Sequence, residues 1–162
     1  MRTSDRVLAA IVAGILILVV VVLVMERNAP AETYREGTTP MDVAHNYLFA
    51  LQTADYQRAY AELSPQLRGY PDDLQEFVRQ VRSQSYNFPL EEDVALSVLS
   101  AEIVDEWATV EVSESRFYNG GPFSSNRYST TFELELELVE GNWKIAGGHS
   151  FFYYCWSERI CR

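Results

Sequence analysis

Residues 128–139 read YSTTFELELELV, and this stretch decides the fold. Tyr128, Thr130, Phe132, Leu134, Leu136 and Leu138 fall at every second position, with Glu133, Glu135 and Glu137 between them. A period of two marks a strand with one face on a core and the other in water. Working outward, Glu140-Gly141-Asn142 is a hairpin turn, and WKIAGGHSFF, residues 143–152, continues as the last strand. Upstream, VALSVLSAEIV (94–104) and WATVEVSESR (107–116) are strands separated by the turn Asp105-Glu106. Asn119-Gly120-Gly121-Pro122 is the loop that leads into residue 128. The second half of the chain is therefore an antiparallel meander of about four strands.

Before residue 94 the period is helical. Thr39 caps, Pro40 suits a first turn, and Asp42 stands where a capping-box acid belongs. Val43, Ala44, Tyr47, Leu48 and Leu51 follow on one face. Thr53-Ala54-Asp55 interrupts, and Asp55 caps a second piece carrying Tyr56, Ala59, Tyr60 and Leu63, which Ser64-Pro65 ends. A further helix opens at Pro71-Asp72-Asp73, with Leu74, Phe77, Val78 and Val81 as its apolar stripe, and Asn87-Phe88-Pro89 breaks it. Helices first and a meander after define an α+β domain, with two or three helices packed on one face of a curved antiparallel sheet.

The start of the chain is different. Residues 7–25, VLAAIVAGILILVVVVLVM, hold no charge and no proline. As a helix the run reaches about 28 Å, close to the hydrocarbon thickness of a bilayer. A cleavable signal has a shorter apolar core of roughly 7 to 15 residues. Ala29-Pro30-Ala31 has the small-x-small form of a cleavage site, but Glu26, Arg27 and Asn28 intervene. The expectation is an uncleaved transmembrane signal-anchor over 7–25, a cytoplasmic tail of residues 1–6, a polar linker over 26–38, and an extracytoplasmic domain over 39–162. Arg2 and Arg6 before the run are matched in number by Arg27 and Arg35 after it. The short basic tail, with the terminal amine, is the end expected inside. Ala9, Ala10, Ala13 and Gly14 are small enough for close packing against another membrane helix.

Charge narrows the partners. The chain carries 13 Lys and Arg against 23 Asp and Glu. Setting aside Arg2, Arg6 and Asp5 leaves eleven basic against twenty-two acidic residues from 26 on, a net of −11. Nucleic-acid binding rests on phosphate neutralisation by Lys and Arg, so it is excluded, as is a domain lying on anionic lipid. The two cysteines, Cys155 and Cys161, stand in CWSERIC. Outside the cytoplasm this spacing reads as a disulfide of about 2 kcal/mol that pins the tail. A zinc site adding His149 lacks a fourth ligand nearby, and neither a metal nor a cofactor is expected.

AHNYLFALQTADYQRAYAELSP at 44–65 and LVEGNWKIAGG at 138–148 resemble the nuclear-transport-factor-2-like superfamily, a cone-shaped α+β fold. The first is similar to the family's opening helix, its small-Asp kink and second helix. The second is similar to its closing hairpin with a Trp-x-Ile strand. The resemblance covers residues 39–152. It implies a family of small-ligand isomerases and dehydratases, anchored secretion scaffolds and binding modules, so the fold leaves the function open.

Enzymes of that fold are implied to place a His or Asp inside the cone. His45 and His149 are the candidates here, with Asp55 better explained as a cap. No nucleophile, base and orienting group fall together in the sequence. Glu133, Glu135 and Glu137 read as a solvated face paired with Arg79, Arg82, Arg116 or Arg127, since calcium requires six or more oxygens around one point. Phe151, Phe152, Tyr153, Tyr154 and Trp156 either present an interface of the aromatic kind or close the open end of the cone. Tyr118 and Phe123 extend either role. The expected function is a single-pass anchored, non-enzymatic binding or scaffold module, accessory to a membrane complex or self-associating. The alternative is an isomerase or dehydratase-like enzyme using His45 on a small apolar ligand in the cone.

Overall fold

The computed structural model describes residues 3–27, 32–90, 94–119 and 125–158, with side chains over Val7, 11–24, 32–90, 94–116 and 128–158. The chain divides into two compact units, one up to Thr33 and one from Tyr34 on.

The first unit is a helix, α1 (Thr3–Arg27). Its described side chains between Ile11 and Val24 are exposed on every side. Among the described residues no helix is long and apolar enough to cross a membrane.

The second unit is α+β, with helices α2 (Pro40–Gln52), α3 (Tyr56–Glu62) and α4 (Leu74–Ser83). Strands β1 (Val94–Val104), β2 (Trp107–Asn119), β3 (Ser125–Val139) and β4 (Asn142–Gly148) form one antiparallel sheet in the order β1-β2-β3-β4. The capping box of α2 is complete: the Asp42 N–H donates to Thr39 Oγ1 at 3.3 Å, and the Thr39 N–H donates to the Asp42 carboxylate at 3.3 Å. Asp55 caps α3 by accepting from the Arg58 N–H. The third of these helices starts later than Pro71, because Asp73 is its cap and accepts from the Glu76 N–H at 2.7 Å.

Alternation in β3 holds over 132–136, whereas Tyr128 and Thr130, expected on the core face, are exposed. Leu134 and Leu136 are fully buried beside Ala108, Val110 and Val112 of β2 and Ile145 of β4, while Glu133 and Glu135 face water. The β3–β4 hairpin turns on Glu140 (φ 51°) and Gly141 (φ 81°), the two positive values a tight hairpin needs. The last strand is shorter than its apolar run suggests. β4 ends at Gly148, after a register shift opposite Glu135 and Leu136, so His149 through Phe152 leave the sheet.

Phe151 then takes φ 55°, a conformation that bulky residues adopt only under constraint. Three contacts hold it. Its N–H donates to the Asn87 carbonyl at 2.7 Å, its carbonyl accepts from Tyr47 Oη at 2.6 Å, and its ring stacks on Phe132 with centroids 5.4 Å apart. Tyr47 is fully buried, and burial pushes its phenol well above the ordinary 10.0. Tyr47→Phe leaves a buried carbonyl without its donor, and the expected loss is about 1–3 kcal/mol in urea unfolding. A raised folded-state pKa stabilises the fold below the unfolded value and ceases to do so above it. Stability should therefore fall above about pH 10 in the parent, and less steeply in Tyr47→Phe.

Candidate functional site

The structure separates the two histidines. His45 is buried in α2, which packs on the sheet, and its ring lies parallel to Phe49 at 6.1 Å. His149 follows β4, is exposed, and borders a shallow hollow of about 240 Å³ with Glu111, Thr131 and Glu133. Those three belong to the face of the sheet opposite Val110, Val112 and Leu134, so the sheet stands between the histidines. Among the described residues no group of three His, Cys, Asp or Glu is placed to hold a metal ion.

The aromatic tail lies largely in the core. Phe151 and Trp156 are 0% exposed and Phe152 is 3% exposed, whereas Tyr154 is 61% exposed. The Trp156 indole meets the rings of Phe77 at 5.3 Å, Phe88 at 5.7 Å and Phe152 at 5.2 Å, and its N–H donates to Gln80 Oε1 at 2.6 Å. Its carbonyl accepts from the Gly69 N–H at 2.9 Å. The chain's own tail thus fills the interior between helices and sheet. Cys155 is buried, and there is no free cysteine among the described residues. Cys161 lies outside them, as do Phe123 and the Tyr118 side chain.

Among the described residues, three of the four arginines expected to pair with the glutamate ladder lie elsewhere. Arg79 pairs with Glu76 at 3.7 Å, Arg82 lies 5.4 Å from the Tyr56 ring, and Arg116 is on the opposite face. The Arg127 side chain lies outside the described residues. Among the described residues the ladder is tied down at its Glu137 end. Glu137 accepts from Ser64 Oγ, and Lys144, opposite Glu137 in register, pairs with Glu62 at 3.5 Å.

Sequence reasoning missed two features. Glu114 is only 7% exposed and accepts from Arg116 Nε at 2.7 Å. The signal was present, since 108, 110, 112, 114 and 116 share a parity, and the core face of β2 runs Ala, Val, Val, Glu, Arg. The second is a strap at Tyr34 and Arg35, within the stretch expected as linker. Tyr34 sets its ring on Phe49 at 4.8 Å and donates to Asp55 at 3.0 Å, with the Arg58 guanidinium 4.0 Å above it. Arg35 exchanges two hydrogen bonds with the Asn46 amide, at 2.7 and 2.9 Å. The globular unit therefore begins ahead of the sequence boundary at 39. A cleft of about 440 Å³ lies there, lined by Tyr34, Arg35, Asn46, Arg58 and Glu62 among others, with acidic and basic side chains interleaved.

No family model and no curated protein matches the chain. Solved structures with a similar fold include a SEC-C motif containing protein from Rhodopseudomonas palustris, 17% identical with a TM-score of 0.49, over 73% of this chain and 83% of that one. An NTF-2 like protein of unknown function from Shewanella oneidensis is 11% identical with a TM-score of 0.42, over 65% of this chain and 90% of its own. A protein of unknown function with a cystatin-like fold from Nostoc punctiforme is 17% identical with a TM-score of 0.44, over 65% and 81%. Likeness at this level carries no argument about activity, which has to be read from the residues.

Proposed function

We propose that this chain is a membrane-anchored extracytoplasmic binding module that works by contact with a partner rather than by catalysis. One observation carries the reading. Phe151, Phe152 and Trp156 are buried and fill the interior between helices and sheet, and the two histidines lie on opposite sides of the sheet. Support for the anchor comes from the sequence: nineteen apolar residues at 7–25 form a length that a bilayer accommodates. A Cys155–Cys161 bridge belongs to the same proposal, because two cysteines this close in sequence, in a domain outside the cytoplasm, read as a disulfide. In this reading the domain resembles nuclear-transport-factor-2-like modules, in which function is set by surfaces grafted on a common fold.

Fractionation tests it. The chain should remain in the membrane pellet through high salt and alkaline carbonate. Its thiols should react with a maleimide only after denaturation and reduction. Recovery as a soluble polypeptide beginning near Glu32, or with thiols that label without reductant, would overturn the reading.

A further inference from the structure

The outer face of the sheet carries apolar side chains that nothing in the described structure covers. Val104 and Trp107, directly opposite each other at the β1–β2 turn, are 59% and 52% exposed. Leu99, at the register shift in β1, is exposed as well. A half-exposed Trp directly opposite an exposed Val is the composition of a contact patch rather than of ordinary surface, and Leu99 lies further along β1, level with Glu111.

What surrounds the patch states the partner's charge. In register, the next row along the strands is Glu102, Thr109 and Glu135, and the row after it is Ser100, Glu111 and Glu133. Glu111 and Glu133 stand directly opposite each other, an arrangement that destabilises a sheet unless a positive group answers it. Among the described residues no ion pair reaches Glu102, Glu111, Glu133 or Glu135. The one lysine, Lys144, is held by Glu62 and by the Ala61 carbonyl at 2.7 Å. A second copy brought face to face here would set carboxylates against carboxylates, and an anionic membrane surface would be repelled in the same way.

We propose that this face is the docking surface for a basic polypeptide segment with an apolar anchor. The anchor sits on Trp107 and Val104, and Arg or Lys side chains reach Glu102, Glu111, Glu133 and Glu135. The proposal rests on the binding-module reading and adds to it the surface and the chemistry of the partner.

The test uses the full chain in neutral detergent and a fluorescently labelled peptide of four Lys-Leu-Arg repeats, followed by anisotropy. Saturable binding is expected, weakening as salt is raised. Trp107→Ser should weaken it about tenfold, the scale of an aromatic anchor. Glu111→Gln with Glu133→Gln should weaken it about fivefold. Glu36→Gln with Glu158→Gln removes the same charge elsewhere and should change it less than about twofold. Equal losses from the two charge pairs would reduce the effect to bulk attraction and overturn the proposal. So would binding that ignores Trp107→Ser, equal binding of the peptide with Glu in place of every Lys and Arg, or a self-association that Trp107→Ser abolishes. Failure of the peptide to bind overturns this surface alone, because the anchored-module reading is decided separately by fractionation and thiol labelling.

Discussion

Trp156→Ala should cost the globular unit about 3–5 kcal/mol, the scale of a large buried aromatic removed from a core that cannot fully collapse. Trp156 is completely buried and touches rings from α4, from the segment after it and from its own tail. Its deletion therefore opens a cavity where three parts of the chain meet. The thermal midpoint should fall by about 10 °C or more. Trp156→Phe fills most of that volume but gives up the N–H to Gln80. Gln80 is half-buried and regains water, so the expected loss is only about 1–2 kcal/mol. Were the tail an interface and not a core element, both variants would unfold like the parent. Calorimetry on the three proteins separates the cases.

Gly69→Ala should also destabilise the globular unit, though less, and without removing a single atom. A Cβ at Gly69 would overlap the carbonyl oxygen of Cys155 and come within 3.1 Å of its carbonyl carbon and 3.2 Å of the Glu158 carbonyl oxygen. These are backbone atoms and cannot swing aside. The added methyl must lift the tail, and with it the bond from the Gly69 N–H to the Trp156 carbonyl. Overpacking of this kind costs about 1–3 kcal/mol. Protease should then cut the tail at rates that leave the parent intact. Gly141→Asn is the control. Gly141 has open space around it and φ 81°, a region Asn tolerates, so that variant should behave as the parent does.

The architecture was legible in the sequence where one periodicity dominated. Leu134, Leu136 and their intervening glutamates could only form a half-buried strand, and Glu140-Gly141 could only be a tight turn. The end of β4 was not legible. Residues 143–152 are apolar enough to continue a strand, and what stops them is tertiary: Asn87 and Tyr47, distant in sequence, hold Phe151 in a left-handed conformation. The tail's burial was hidden for a related reason, since five aromatics in six residues suit a core and a contact surface equally well. The arginines misled because charge complementarity says nothing about reach. Arg116 shares a parity with the core residues of β2 and so points away from the ladder it was expected to neutralise. Glu114 could have been found by counting along that same strand.

The bonds that close the core also set how fast it assembles. Tyr47 Oη and the Phe151 carbonyl are 104 residues apart, and the Trp156 indole and Gln80 are 76 apart. Chain entropy has to be spent on loops of that length before either contact returns anything, a topology that folds on the slow side for its size. Helices formed early have no complete surface to lie against until the meander arrives. The acquisition of structure should therefore be a late, concerted event, with the helical segment over 40–83 unable to persist as an independent fragment.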